Sequence, residues 1–439
     1  MRVSVIGCGH LGIPHAAAMA ELGHTVIGVD MDQTKVDRLN KGDCPIHEAN
    51  LQELLNRHIP SGKLWFTTDM SEVAHCDVHF LAVGTPTAKV GHHYETSQLI
   101  RAVQTLAPNL TGPCTVIGKS TITAGTSRLL KNLLAEHAPA GESVELVWNP
   151  EFLREGRAVD DTLNPDRIVA GVFSDSGERT VREVYSKILK GGVPLFITTP
   201  ATAELVKGAA NAFLAMKISF INGVSDMCRQ AGADAIELAE AIGIDPRIGI
   251  RGMAPGPGFG GGCLPKDLKA FAASAEELGA LDMADLMWSV DRVNSSRPEA
   301  AMDLIEDALG GSVAGMRVTL WGAAFKAGTS DVRESPALAL ADRLTLHGAV
   351  VRVHDPQALT SALRERPGLR VAESMEESVS GSDAVVVATE WPQFAAANPF
   401  ALVGRTPSPT VVDLRNVLDA AQWRRAGWAV RQLGRAFQE

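Results

Sequence analysis

Residues 2–30 read RVSVIGCGHLGIPHAAAMAELGHTVIGVD, and this stretch decides the fold. An apolar run breaks at Gly7, Gly9 and Gly12, an alanine-rich segment of helix-forming composition follows, and a second apolar run ends at Asp30. The order is strand, glycine turn, helix, strand, with an acidic residue 18 positions after the third glycine. In that context GxGxxG marks a parallel βαβ unit that binds a dinucleotide. Without side chains at the glycines that flank His10 and Leu11, the backbone and the helix N-terminus can approach a pyrophosphate. Asp30 can accept hydrogen bonds from the adenosine ribose. Asp30 and Asp32 repel a 2′-phosphate and no arginine follows directly, so NAD is the expected cofactor rather than NADP.

Further strands follow in the same rhythm. DVHFLAVGTP (77–86) and CTVIGKST (114–121) end in small or hydroxylated residues, Thr85, Pro86, Ser120 and Thr121, where a cofactor would lie. The pattern returns near the C-terminus: RVTLWGAAFKAGT (317–329) parallels the first strand, and GAVVRVHD (348–355) parallels GHTVIGVD (23–30). DAVVVATEW (383–391) and TVVDLRN (410–416) complete the second copy. That copy lacks the glycine fingerprint and carries Lys326, Arg333 and Arg415 at its loops, which predicts a different anionic ligand. Between residues 199 and 298 strand signals vanish. Thr199 and Pro200 make an N-cap and first turn, and Leu205, Ala209, Phe213, Met216, Phe220, Val224 and Met227 recur at spacings of three and four until Gly232. The expected fold is α/β: two Rossmann-like doubly wound domains (1–198 and 299–439) joined by a long central helix and a small helical domain (199–298). The apolar stripe of the long helix suits either the chain's own core or a homodimer seam.

Bulk properties narrow the function. A chain of 439 residues with 45% hydrophobic and 21% charged residues is an ordinary globular composition, long enough for two or three domains. The formal charge of −10 with no basic run argues against nucleic acid and anionic membranes as partners. No apolar stretch approaches the ~20 residues of a membrane span and no signal peptide is evident, which predicts a cytoplasmic protein. The six cysteines lack CxxC spacing, arguing against a disulfide framework or a zinc ribbon. His75, Cys76 and His79 enter a strand in which Cys76 points away from the other two, so no metal site is expected.

One cysteine stands apart. In PGFGGGCLPKD (257–267) Cys263 is collared by glycines and precedes a helical pattern, with Pro265 suited to the first turn. Unpaired amides, the helix dipole and Lys266 favour a thiolate there, and the glycines let a bulky ligand reach it. Asp267, one turn on, shares roughly the same face. A thiolate beside a nicotinamide implies aldehyde chemistry: a thiohemiacetal, then a thioester, then hydrolysis to an acid. AELVKGAAN (203–211) places Glu204, Lys207 and Asn211 on one helical face, either as an oxyanion partner and sugar contacts or as a solvated polar stripe. NPEFLREG (149–156) supplies Glu151 and Glu155 beside the apolar Phe152–Leu153 pair, candidates for a carboxylate of raised pKa.

Taken together, these stretches resemble the nucleotide-sugar dehydrogenase family, the UDP-glucose and GDP-mannose 6-dehydrogenases, over almost the whole chain. The resemblance implies oxidation of a sugar C6 alcohol to a carboxylate with two NAD per turnover. It implies Cys263 as nucleophile, Lys207 and Asn211 as stabilisers of the oxyanion and intermediate, Asp267 and Thr121 as water-positioning groups, and Glu151 as the water-activating carboxylate. The cofactor set would be Gly7, Gly9, His10, Leu11, Gly12, Asp30, Thr85, Pro86, Ser120, Thr121, Glu155 and Arg333. The nucleotide sugar would meet Glu151, Phe152, Leu153, Arg154, Lys207, Asn211, Phe259, Gly260, Cys263, Phe325, Lys326 and Arg415, with Arg247 of DPRIG reaching a neighbouring subunit's substrate in a homodimer. DPRIG favours UDP-glucose; TDP-glucose stays open, and GDP-mannose or a UDP-N-acetylhexosamine follow. Two departures flank the cofactor domain. The family often reads Glu-Pro-Gly where this chain has Glu48, Ala49 and Asn50, and often has an aromatic residue in place of His10.

Overall fold

A computed structural model describes residues 1–88 and 91–435, which separate into two compact units, residues 1–210 with 276–278 and residues 211–275 with 279–439. In the first unit, β1 (Arg2–Ile6), β2 (Thr25–Val29), β3 (Leu64–Thr67), β4 (Val78–Leu81), β5 (Cys114–Gly118), β6 (Val144–Trp148), β7 (Ile168–Val172) and β8 (Leu195–Thr198) form one sheet. Its order is β3-β2-β1-β4-β5-β6-β7-β8, with β6 and β7 antiparallel and the other neighbours parallel. The first six strands follow the doubly wound dinucleotide order, whose switch point lies between β1 and β4.

The sequence explains the close packing there. The helix Gly12–Glu21 is buried from Gly12 to Ala20, and its alanines let it lie close over the sheet. A Cβ on Gly12 would overlap the carbonyl oxygen of Gly7, and Gly7 itself turns at φ +96°. β4 is buried along its whole length, as a sheet covered on both faces requires. Its His79 sits opposite Ser4 of β1, with Ser4 Oγ 2.8 Å from His79 Nδ1. Burial pushes that imidazole down to about 4, so His79 is a neutral sheet residue. Cys76 precedes β4 in a turn rather than within the strand expected from alternation.

In the second unit, β9 (Arg317–Trp321), β10 (Val350–His354), β11 (Ala384–Val387), β12 (Thr410–Asp413) and β13 (Ala429–Gln432) make a parallel sheet ordered β10-β9-β11-β12-β13. Its core is aromatic. Trp321 stacks on Phe394 at 5.2 Å and meets Trp423 edge-on at 6.1 Å, and its indole N–H donates to Ser378 Oγ at 2.9 Å. Burying rings of this size contributes about 2–3 kcal/mol each, provided the indole finds such a partner.

Among the described residues no strand lies between 199 and 297. The long helix runs Pro200–Ala231, and the hydroxyl of Thr199 accepts from Thr202 N at 3.3 Å as its cap. The apolar stripe is only partly core: Met216 and Val224 pack against buried residues, while its other large members are exposed. Phe213 is 59% exposed, Phe220 56% and Met227 69%, seven residues apart, with Leu205 beside them at 39%. The buried side of the helix instead carries small and polar residues, among them Ala203, Lys207, Ala212, Ala215, Ser219 and Asn222.

Candidate functional site

The glycine turn after β1 has the form a dinucleotide needs. A Cβ on Gly7 would come within 2.9 Å of Val83, whereas one on Gly9 would meet nothing within 4 Å. Gly9 and His10 are exposed at the open end of the turn, so backbone amides there are accessible to a pyrophosphate. At the end of β2, Asp30 accepts from Cys8 N at 2.9 Å and pairs with Lys35 Nζ at 2.9 Å. Asp32, next along, caps the helix Gln33–Asn40 by accepting from Lys35 N at 3.1 Å. The loops after β4 and β5 are tied together: Thr85 Oγ1 donates to Thr121 O at 2.8 Å, and Ser120 Oγ to Val83 O at 2.7 Å. These groups all sit beyond the carboxyl ends of parallel strands, where open α/β sheets bind ligands.

The NPEFLREG segment follows β6. Glu151 pairs with Lys207 at 3.1 Å, and its other oxygen accepts from Leu153 N at 2.7 Å. Lys207 is 4% exposed, so this is a buried ion pair of the long helix with the loop. The Phe152 ring lies under Arg167 at 4.0 Å, while Arg154 turns outward onto Asp161. Glu48 holds the end of the segment, accepting from Gly156 N at 2.9 Å and Ala158 N at 2.6 Å. Asn50, standing where the family often has glycine, adopts φ +64°, a left-handed conformation asparagine tolerates well. Glu204 leaves the expected trio with Lys207 and Asn211. Its carboxylate accepts from Gly125 N and Ser127 N, both at 2.7 Å, and so caps the helix Thr126–His137 from outside.

In the second unit Cys263 lies just before the helix Leu264–Glu277, with Asp267 N donating to Cys263 O at 2.8 Å. It is the exposed cysteine of the six; Cys8, Cys76 and Cys228 are buried, Cys44 and Cys114 half-buried. Burial, with Asp30 beside it, drives the Cys8 thiol far above its ordinary value, leaving that sulfur inert. The collar works by close approach: a Cβ on Gly261 would strike the Phe325 ring at 2.7 Å, one on Gly260 the carbonyl of Glu334, and one on Gly262 the Arg333 guanidinium. Asp267 is 1% exposed and accepts from Asn211 Nδ2 at 2.6 Å and Lys266 Nζ at 2.7 Å. Phe259 is fixed by Asn294, which accepts from its N–H at 2.8 Å and donates to its carbonyl at 3.0 Å.

The second sheet resembles the first in layout but not in chemistry. Asp355, at the place Asp30 takes in the first copy, accepts from Ala323 N, Ala324 N, Gln357 N, Ala358 N and Trp391 Nε1. Both of its oxygens are committed internally. The cations expected to meet an anion have carboxylate partners: Arg333 is bidentate on Asp331, and Arg415 pairs with Glu390 at 3.2 Å while donating to Ala388 O at 2.9 Å. Lys326 lies over the Phe325 ring at 5.6 Å. Arg247 is highly exposed and held by Asp245.

Sequence reading missed one cluster. A cavity of about 70 Å³ in the first unit is lined by Glu151 and Phe152 together with Lys119, Asn149, His15 and Tyr185. Lys119, 7% exposed, donates to Asn149 Oδ1 at 3.0 Å, and the Tyr185 hydroxyl donates to the same oxygen at 2.7 Å. Burial pulls the Lys119 ammonium down to about 8, with Glu151 opposing and Lys207 reinforcing. A lysine ending an otherwise apolar strand was the available signal.

Three family models cover the chain in order. Residues 1–189 match the NAD binding domain of the UDP-glucose/GDP-mannose dehydrogenase family, 201–296 its central domain and 319–420 its UDP binding domain. A UDP-glucose 6-dehydrogenase of Rhizobium meliloti is 38% identical over 438 residues, 99% of this chain and 100% of that protein. One of Bacillus subtilis is 36% identical over 437 residues, 99% of this chain and 98% of that protein. A solved UDP-glucose dehydrogenase from Pyrobaculum islandicum superposes with TM-score 0.88 at 37% identity, covering 98% of both chains. A UDP-D-ManNAc dehydrogenase from Pyrococcus horikoshii gives TM-score 0.86 at 28% identity over 99% of both. With its glycine cradle fit for NAD and these full-length matches, the chain belongs to the UDP-glucose/GDP-mannose dehydrogenase family and is an NAD-dependent nucleotide-sugar dehydrogenase.

Proposed function

We propose that the protein oxidises the C6 hydroxyl of UDP-glucose to the carboxylate, through a thiohemiacetal and a thioester on Cys263. The observation that carries this reading is the exposed Cys263 thiol at a helix start, walled by three glycines. UDP-glucose is favoured because full-length relatives at 36–38% identity are named for it.

NAD, bound at the Gly7–Gly12 turn with Asp30 toward the ribose, supplies the hydride acceptor for both oxidations. The Cys263 thiolate adds to the C6 aldehyde, forming the C–S bond, and Lys207 and Asn211 stabilise the oxyanion that develops. After the second oxidation a thioester remains. Glu151 takes a proton from water, the resulting hydroxide adds to C6, and the C–S bond breaks with the electron pair returning to sulfur. Asp267 and Thr121 position that water. The balance is one alcohol, one water and two NAD giving one carboxylate, two NADH and three protons. Phe152, Leu153, Phe259, Gly260, Phe325, Lys326 and Arg415 serve as substrate contacts, and Thr85, Pro86, Ser120, Glu155 and Arg333 as cofactor contacts. Three domains divide these tasks, at 1–198, 199–298 and 299–439.

The reading includes a cytoplasmic homodimer. Its support is the exposed Phe213–Phe220–Met227 row, which two copies can cover with each other, and Arg247 then serves the partner's substrate. The test is NADH formation with UDP-glucose, TDP-glucose, GDP-mannose and UDP-N-acetylhexosamines. UDP-glucose should give the highest kcat/KM; a higher value for any other donor overturns the substrate assignment.

A further inference from the structure

Lys119 has no part in the scheme above, yet its cavity is lined by the carboxylate that scheme uses. Lys119 follows β5, and its ammonium donates to Asn149, two residues before Glu151 on the loop after β6. Asn149 is 2% exposed, and its side-chain amide donates to Val169 O at 2.7 Å. The lysine therefore grips the root of the Glu151 loop from inside the unit. Its hydrogen-bond acceptor is a neutral amide, which is unusual for an ammonium taken out of water.

Several charged groups surround Glu151. Arg154 pairs with Asp161, Arg167 lies over the Phe152 ring, and Asp166 lines the same cavity. His15 is 1% exposed, its Nε2 has no partner, and burial keeps it neutral. Burial likewise keeps the Tyr185 phenol protonated. Lys207 and Lys119 are two buried cations that act on this carboxylate.

We infer that Lys119 is a positioning residue for the hydrolytic step: a second buried cation, anchored on Asn149, that fixes the loop carrying Glu151. This rests on Glu151 as the water-activating group. Without that anchor the loop would hold Glu151 less well against its water, a loss that falls on kcat rather than on KM.

Burial of the ammonium also makes stability depend on pH. A lysine whose ammonium titrates near 8 when folded, against about 10.4 unfolded, costs stability below pH 8. That cost is relieved as pH rises toward the unfolded value. Replacing the lysine leaves Asn149 Oδ1 still accepting from Tyr185, so no buried acceptor is orphaned.

The experiment compares wild type, Lys119→Met, Lys119→Arg and Glu151→Gln with UDP-glucose and NAD. It measures NADH production over pH 5–10 and thermal melting at pH 7 and pH 10. Lys119→Met should lower kcat by about ten- to a hundredfold with KM for UDP-glucose and NAD near wild type, and should melt above wild type at pH 7 with the gap narrowing at pH 10. Lys119→Arg should restore kcat. An unchanged kcat in Lys119→Met, with hydrolysis lost in Glu151→Gln, overturns the inference while sparing Glu151. Normal turnover in Glu151→Gln removes the carboxylate this lysine serves, and the inference with it.

Discussion

Replacing Glu204 with alanine should cost both stability and turnover, although the residue lies outside the proposed chemistry. Its two oxygens take Gly125 N and Ser127 N at 2.7 Å each, at the start of the helix Thr126–His137. A hydrogen bond to a charged acceptor contributes about 1.5–3 kcal/mol, and the positive end of the helix adds a few tenths more. Glu204 is 3% exposed, so truncation leaves two backbone donors with restricted access to water. The sum is about 3–6 kcal/mol, or on the order of a 10 °C fall in Tm for a unit of this size. The capped helix also ends the loop that starts at Ser120 and Thr121, and Glu204 is one turn before Lys207 on the long helix. Loosening this tie should therefore lower kcat more than it raises KM for NAD. Glu204→Gln, which keeps one acceptor but turns an amide N–H toward the other donor, should fall between. Differential scanning fluorimetry and steady-state kinetics decide it. A Tm within 2 °C of wild type with unchanged kcat would refute the capping argument.

NAD should outperform NADP by about two orders of magnitude in kcat/KM if Asp30 takes the ribose as proposed. Lys35→Met should widen that margin, since the ammonium paired with Asp30 partly offsets the repulsion of a 2′-phosphate; equal use of both cofactors by wild type contradicts the assignment. Phe220→Asp, which puts a charge in the exposed apolar row, should convert the dimer to monomers by light scattering and reduce turnover while NAD still binds. A fully active monomer would remove both the dimer and the shared Arg247.

The two doubly wound sheets were legible because glycine spacing, apolar runs and terminal aspartates are local signals. β1, β2, β4, β5 and β9–β12 all appear where apolar runs end in turns. The strands missed, β3, β7, β8 and β13, are short or marginal: β8 carries an exposed Phe196 and shows no clean alternation. The thiol and its helix start were legible for the same local reason. Groups whose partners are distant in sequence were not. Nothing near Glu204 announces that its acceptors serve amides 77 and 79 positions away, and nothing in GKST shows that Lys119 will be buried against Asn149. Asp32 and Lys266, read as charges facing a 2′-phosphate and a thiolate, likewise have partners their local sequence does not announce, a helix cap and a neighbouring carboxylate.

The central claim is that one thiol carries the sugar between two oxidations. It is tested most directly by counting NADH per UDP-glucose consumed under excess NAD, with intact mass spectrometry of the protein quenched during turnover. The account predicts two NADH per sugar and a covalent sugar adduct on Cys263 in wild type, with both the adduct and net acid formation lost in Cys263→Ser. One NADH per sugar, or sustained acid formation by Cys263→Ser, would contradict it.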